Sequence, residues 1–347
     1  MGAGNTPNDL TGSPFEGVAP TAGRGLGRGS AGAALLGSLG ASCSGGSPSV
    51  LDPAGAQAGR IDGLWWLLLW ISVAVALVVL GMMGAAIVRR GRRGMEVDHA
   101  EPRWGDPFVV IAGVVLPVVI LTGVFVASVR DLNAIQEGDP RLTVDVIGHV
   151  WWWEGRYPGG AVVANELHIP VGQTVAFRLT TADVIHSFWV PRLAQKMDMI
   201  PGRTNTLLVR AEKVGTYRGQ CAEFCGLQHA HMALSVVAEP PDEFAAWLRD
   251  QARPAAAAAD GLDIFLSSSC AGCHTIRGTE AAGTLGPDLT HIASRETIAA
   301  RTLENTHENL KAWIADPQAF KPGAVMPPTE LTSDELRSLV DYLETLT

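Results

Sequence analysis

Two short segments concentrate the chemistry of this 347-residue chain. The first, Cys221-Ala-Glu-Phe-Cys225-Gly-Leu-Gln-His229-Ala-His-Met232, sets two thiols, an imidazole and a thioether within a few turns of chain. Soft sulfur with imidazole suits copper, and mixed Cys/His/Met sets recur in copper electron-transfer sites. A mononuclear site needs one thiolate, whereas two thiolates four residues apart can bridge a pair of ions. A further ligand is expected from an earlier strand, and His186, in Asp183-Val-Ile-His186-Ser-Phe-Trp-Val-Pro191, is well placed. Three other readings compete. A Cys221–Cys225 disulfide is sound chemistry in an oxidising compartment but leaves His229 and Met232 unexplained. Zinc prefers Cys and His without Met, and a surface histidine beside a core methionine is the plainest alternative.

The second segment, Cys270-Ala-Gly-Cys273-His274, is a C-x-x-C-H motif, in which two thiols bond the vinyl groups of a haem and the histidine ligates iron. Electron transfer needs a second axial ligand. Met326, in Val325-Met-Pro-Pro328, is the only methionine after residue 232, with His291 and His307 as rivals. Histidine–methionine ligation raises the iron potential, as a relay to an oxidising partner requires. With two of the five cysteines assigned to haem and two to copper, only Cys43 remains, so no structural bridge is expected.

Elements that position these segments outside a membrane are legible upstream. Gly63–Val88 and Pro107–Val129 are uncharged runs, each longer than the ~20 residues that span a bilayer core. Trp65, Trp66 and Trp70 stand where an interfacial aromatic belt belongs. The connection between the runs carries Arg89, Arg90, Arg92, Arg93 and Arg103, so the positive-inside rule puts it in the cytoplasm and everything after Arg130 outside. The first sixty residues read as a Gly/Pro/Thr-rich extension followed by an export signal, with Arg24 and Arg28 before the apolar stretch Ala31–Ala41 and a lipoprotein-like box at Cys43. Hydrophobic residues make up 47% of the chain and charged residues 18%, which excludes bulk disorder. A net charge of −9 argues against nucleic acid as a partner.

From Leu142 to Val237 the chain reads as short β-branched segments, among them Leu142–Ile147, Thr174–Thr180 and Thr206–Arg210, separated by Gly and Pro turns. That pattern suggests a Greek-key β-sandwich. A helix is expected over Asp242–Arg249, then an Ala/Pro linker over 252–259. Beyond it, helical spacing runs over Leu303–Ala315 and Ser333–Leu346, with Ser333 as N-cap. Residues 260–347 hold 13 acidic and six basic side chains, a balance that would steer a basic electron donor.

The sequence resembles subunit II of haem–copper cytochrome c oxidases of the caa type. The features that carry the resemblance are the two-helix hairpin, Gly148-His-Val-Trp-Trp-Trp153, Asp183-Val-Ile-His-Ser-Phe188, Lys196-Met-Asp-Met-Ile-Pro-Gly-Arg203 and the Cys221–Met232 segment. They span roughly residues 60–250, and residues 260–347 resemble a class I cytochrome c, with Gly286-Pro-Asp-Leu289 as a haem-edge loop. The resemblance implies a multidomain membrane protein: an N-terminal extension (1–60), a transmembrane hairpin (61–130), an all-β cupredoxin-like Greek-key domain (131–251), the linker (252–259) and an all-α cytochrome c domain (260–347). It further implies a binuclear copper centre bridged by Cys221 and Cys225, with His186 and His229 each on one copper. Met232 and the Glu223 carbonyl would complete the shells, and the Glu223 carboxylate would hold magnesium where subunit I docks. Electrons would enter copper at Trp151; Cys270, Cys273, His274 and Met326 would hold haem c.

The implied function is electron transfer from haem c through copper to subunit I, where oxygen is reduced to water. The implied partners are subunits I and III, a cytochrome c or cytochrome bc-type donor, and the bacterial plasma membrane. One departure stands out: family members commonly carry a glutamate near the start of the second helix that feeds protons toward subunit I, and Phe108–Ala112 here holds none, with only Asp106 nearby. Two other readings fit part of the pattern: the small subunit of a copper-containing nitric oxide reductase, and a stand-alone tethered electron carrier. Quinol oxidase subunits are disfavoured, because they lack the copper ligands present here.

Overall fold

Helix α1 (Ala56–Arg93) and helix α2 (Gly105–Gln136) present apolar side chains on every side. Leu77, Leu121 and Phe125 are each about two-thirds exposed, a surface that suits hydrocarbon rather than water. The computed structural model describes residues 48–93, 105–255 and 261–347; the export-like segment with Cys43, the charged connection and the second half of the Ala/Pro linker lie outside them. Each helix exceeds bilayer thickness at about 1.5 Å per residue, and Arg60 pairs with Asp131 across the hairpin at 3.7 Å. Helix α2 widens to a π turn over Ile111–Val115. Pro117, one residue into the α-helical stretch that follows, lacks the N–H that would bond Gly113, and a wider turn absorbs such a lost bond.

The α1 start is fastened to the β domain. Ala54 and Gly55 donate backbone N–H groups to Arg192 O at 2.8 and 3.0 Å, and Ala58 donates to Leu193 O at 3.2 Å. A Cβ on Gly55 would stand 2.3 Å from Leu193 O, so only glycine permits this approach.

Ten strands form two five-stranded sheets. β1 (Leu142–His149), β2 (Trp152–Arg156), β3 (Val162–Ala164), β5 (Val175–Thr181) and β8 (Asn205–Val209) build one, in the order β3-β2-β1-β5-β8. β4 (Glu166–Pro170), β6 (His186–Trp189), β7 (Met197–Met199), β9 (Gly215–Cys221) and β10 (Ala233–Glu239) build the other, in the order β4-β10-β9-β6-β7. Neighbours are antiparallel except β1 with β5 and β4 with β10. Val144, Val146, Phe177, Leu179, Leu167 and Phe188 fill the space between the sheets, as alternating strands in a sandwich require. The expected all-β sandwich is therefore what residues 142–239 adopt.

Helix α3 (Pro241–Gln251) leaves the sandwich with Pro241 at its first turn and Phe244 and Trp247 packed against Tyr157. The C-terminal region is helical around its own core: α4 (Gly261–Ser267), a single turn at Cys270–Cys273, α5 (His307–Ala315) and α6 (Ser333–Leu343). A Cβ on Gly261 would lie 2.3 Å from Ser338 O, which fixes the close crossing of α4 over α6. Two expected boundaries move. Leu303–Glu304 pairs with Thr297–Ile298 as a two-residue ladder, so α5 begins only after Thr306, whose side chain accepts from Asn309 N. Thr332, not Ser333, caps α6 in a reciprocal box with Glu335, and the helix stops at Leu343.

Candidate metal centres

The end of β9, the start of β6 and the loop into β10 bring the predicted sulfur and imidazole groups together. Cys221 Sγ lies 3.8 Å from Cys225 Sγ and 3.9 Å from His186 Nδ1. Cys225 Sγ lies 3.6 Å from His229 Nδ1 and 3.8 Å from Met232 Sδ. The Glu223 carbonyl oxygen is 3.1 Å from Cys221 Sγ, while the Glu223 side chain faces solvent. Both thiols are free and buried, close enough to share an ion at metal–sulfur bonds of about 2.3 Å. A thioether turned onto a thiol inside a core is soft-metal chemistry. The donor set thus fits copper, and His186, Cys221 and Cys225 converge on one point.

Polar groups behind the cluster orient it. His186 is fully buried, and its Nε2–H donates to Asp183 Oδ1 at 2.8 Å, which leaves the Nδ1 lone pair on the sulfur side. Asp183 Oδ2 accepts the Val150 N–H at 2.7 Å. Burial opposes the Asp183 charge, but the bonds from His186, Val184 N and Val150 N outweigh it and lower the carboxyl pKa. Burial alone would lower the His186 pKa, yet Asp183 and the Cys221 sulfur together raise it. Between the thiols, the hydrogen bond from Cys225 holds Cys221 as the thiolate and pushes the Cys225 pKa up. Room for the imidazole comes from the facing sheet: a Cβ on Gly148 would stand 2.8 Å from His186 Cδ2.

The three consecutive tryptophans have three environments. Trp153 is fully buried, edge-on to Phe188, with its indole N–H toward Met232 O at 3.4 Å. Trp152 stacks on His149 with centroids 4.2 Å apart. Trp151 sits in the turn before β2, and its indole N–H donates to Cys225 O at 2.9 Å.

Trp151 also borders a large apolar cavity, whose lining includes Cys270, Cys273, His274 and Met326. His274 Nδ1–H donates to Pro287 O at 2.8 Å, leaving Nε2 as the basic nitrogen. Burial lowers its pKa and so keeps the ring neutral, the form that ligates iron. A Cβ on Gly286 would be 2.5 Å from the ring. Gln318 Nε2 donates to the Ala324 and Met326 carbonyls at 2.8 and 3.0 Å, and Gln318 Oε1 accepts from Gly323 N; these bonds hold the methionine loop. This cradle fits a covalently attached haem. The rival ligands are elsewhere: His291 nitrogens face Thr347 O and Arg253 O, and His307 is on the surface with Glu344.

Residues 160–239 match the family described as cytochrome c oxidase subunit II, periplasmic domain, and residues 258–347 match cytochrome c. Cytochrome c oxidase subunit 2 of Alkalihalophilus pseudofirmus is 34% identical over 313 residues, covering 86% of this chain and 90% of that one. The protein of the same name from Bacillus subtilis is 30% identical over 328 residues, with coverages of 86% and 91%. The chain belongs to the cytochrome c oxidase subunit II family.

It is a membrane-bound subunit II that carries a C-terminal cytochrome c domain, and it passes electrons to subunit I of a haem–copper oxidase. The cytochrome c domain implies haem c, and the His/Cys/Cys/Met group is consistent with copper A. Among solved structures, the periplasmic domain of subunit II from Bradyrhizobium japonicum is 33% identical, covering 32% of this chain and 94% of that one with a TM-score of 0.32.

In this subunit II the cytochrome c region lies directly on the copper loop. Gln228, between Cys225 and His229, donates to Pro322 O at 2.7 Å, and Ala233 N donates to Ala300 O at 3.3 Å. Arg301 bonds the Ser235 hydroxyl, and Glu296 N donates to Glu166 Oε2 at 3.2 Å. Ala299, Ala300 and Arg301 all have left-handed backbones, with φ of 53°, 57° and 61°, at about 1–2 kcal/mol each. Sequence reasoning did not find this seam, nor Asp183, Gln318 and Gly148 as supports. Asp183 alone left a trace, in its spacing of three from His186.

Proposed function

We propose that Cys221 and Cys225 bridge two copper ions, that His186 and His229 each ligate one, and that Met232 and the Glu223 carbonyl complete the shells. Cys270 and Cys273 would anchor the haem, with His274 and Met326 as axial ligands. When bound, haem and the copper pair supply one-electron carriers at potentials the protein tunes. The chain's own part is to hold soft ligands in a dry core, keep His186 and His274 in ligating tautomers, and exclude water from both sites.

The observation that carries the reading is Trp151, which borders the haem-domain cavity and donates its indole N–H to the carbonyl of Cys225. That position suits the residue where electrons enter copper. The exposed Glu223 carboxylate is available to hold magnesium where subunit I docks. The hairpin would span 61–130, the copper domain 131–251 and the haem domain 260–347, with the copper and haem domains on the extracytoplasmic side of a bacterial plasma membrane. Subunits I and III and a cytochrome c or cytochrome bc-type donor are the proposed partners. The curated relatives favour an oxidase over a nitric oxide reductase or a stand-alone carrier.

Metal analysis with optical and electron paramagnetic resonance spectra of the full chain tests the assignment. Two coppers sharing one unpaired electron, plus one haem, are expected; haem without copper in a reduced, copper-loaded sample would overturn it. Trp151→Ala should leave both spectra intact while slowing reduction of copper by about 10–100-fold, the scale on which small losses of positioning act.

A further inference from the structure

A buried lysine lies on the seam between the two domains. Lys321 is 4% exposed, and its ammonium donates to Trp151 O at 2.9 Å and to Ala299 O at 3.3 Å. The first carbonyl belongs to the β domain, at the tryptophan that reaches the copper loop. The second belongs to the left-handed turn of the cytochrome c domain. A buried ammonium is costly unless its donors are satisfied, and here one carbonyl from each domain does so.

The chain segment around Lys321 has two sides. Gln318 ties it to the carbonyls of Ala324 and Met326, and so to the loop of the proposed haem ligand. On the other side Lys321 and Pro322 engage Trp151 and Gln228 of the copper domain. A Cβ on the adjoining Gly323 would stand 2.9 Å from Leu227 Cδ2 and 3.8 Å from the Trp151 ring, so the segment meets the copper loop without a spacer.

We infer that Lys321 is a positioning residue for electron transfer: its ammonium clasps Trp151 to the cytochrome c domain and thereby sets the transfer rate, without being a ligand of either metal site. This rests on the haem and copper assignments proposed above. It predicts a separation of effects, because removing the clasp should loosen the seam while both ligand sets stay intact. A mere packing residue would instead be replaced without loss by a side chain of equal length.

The test uses the whole oxidase containing this chain, with Lys321→Met, which keeps the length, and Lys321→Arg, which keeps the charge and donors. Electrons are delivered to the haem by flash photoreduction, and its reoxidation is followed by absorbance. Backbone hydrogen exchange of 149–153 and 299–302 is measured on the same variants and on the metal-free chain. Hydrogen bonds from charged donors are the strong ones, so Lys321→Met should slow reoxidation and speed exchange at the seam by about tenfold. Haem and copper spectra should be unchanged, and Lys321→Arg should recover to within about threefold of the wild type.

A loss under about threefold in both rate and exchange for Lys321→Met would overturn the inference on this scale. So would a shifted haem spectrum with an undisturbed seam, which would place the effect of Lys321 in the cavity it also lines rather than at the seam. If the wild-type chain lacked the two-copper spectrum, the copper assignment would fail separately, and exchange in the metal-free chain would still report on the clasp.

Discussion

If Cys221 and Cys225 bridge two coppers as proposed, replacing either thiol should abolish the mixed-valence copper signal and leave the haem spectrum untouched. Cys225 is the hub: its sulfur lies within 4 Å of the Cys221 sulfur, His229 Nδ1 and Met232 Sδ. Serine substitutes a hard, weakly acidic oxygen for a soft thiolate. In Cys225→Ser the remaining Cys221 still has His186 and the Glu223 carbonyl beside it, enough for at most one ion. In Cys221→Ser the Cys225, His229 and Met232 half remains. Neither half can share an electron over two coppers. Removing a hydrogen-bond partner of a metal ligand already costs about 10–100-fold, so loss of a bridging ligand itself should reduce oxygen turnover by at least about 100-fold. The haem is spared because neither Cys221 nor Cys225 lines its cavity, where Cys270, Cys273, His274 and Met326 are all unchanged. Retention of a two-copper spectrum in both variants would refute the bridging roles.

Met326→Ala should keep the haem attached, since the thioether positions Cys270 and Cys273 are unchanged, and should open the sixth iron position to carbon monoxide. The Gln318 bonds to the Ala324 and Met326 carbonyls involve backbone and survive the change, so the loop stays and only the ligand goes. Loss of a thioether ligand should lower the haem potential by on the order of 100 mV. At about 59 mV per decade for one electron, haem would then be oxidised more readily and reduced by its donor about 50-fold less favourably. Absence of carbon monoxide binding would transfer the role from Met326 to another group.

The proposed ligands were legible as groups in sequence because metal chemistry dictates both residue type and spacing: Cys221 to Met232 lie on one loop, and Cys270 to His274 on one turn. The sandwich was legible because β1 and β5 are β-branched segments bounded by Gly and Pro turns, and in β1 buried and half-buried residues do alternate. Trp151 was less so, since an alternating strand over 151–153 would have set it on one face with Trp153, whereas the turn frees it to point at Cys225. The early start expected for α5 came from apolar Leu303, whose burial is explained equally well by a two-residue ladder. Lys321, Gln318 and the left-handed run at Ala299 carry no local pattern. Their partners are tens to more than a hundred residues distant or lie in irregular loops, and only the docked fold brings them into meaning.

The fastening at Gly55 has a mechanical consequence. A globular unit hung from a slack tether explores a hemisphere above the membrane and presents its redox face in the right direction only part of the time. Here the first anchor helix grows straight out of hydrogen bonds to Arg192, Leu193 and Arg210 of the β domain, and Asp52 adds an ion pair to Arg192. The domain therefore has no swivel at that joint: its height and compass bearing over the lipid are inherited from the helix, and subunit I receives a copper loop already aimed.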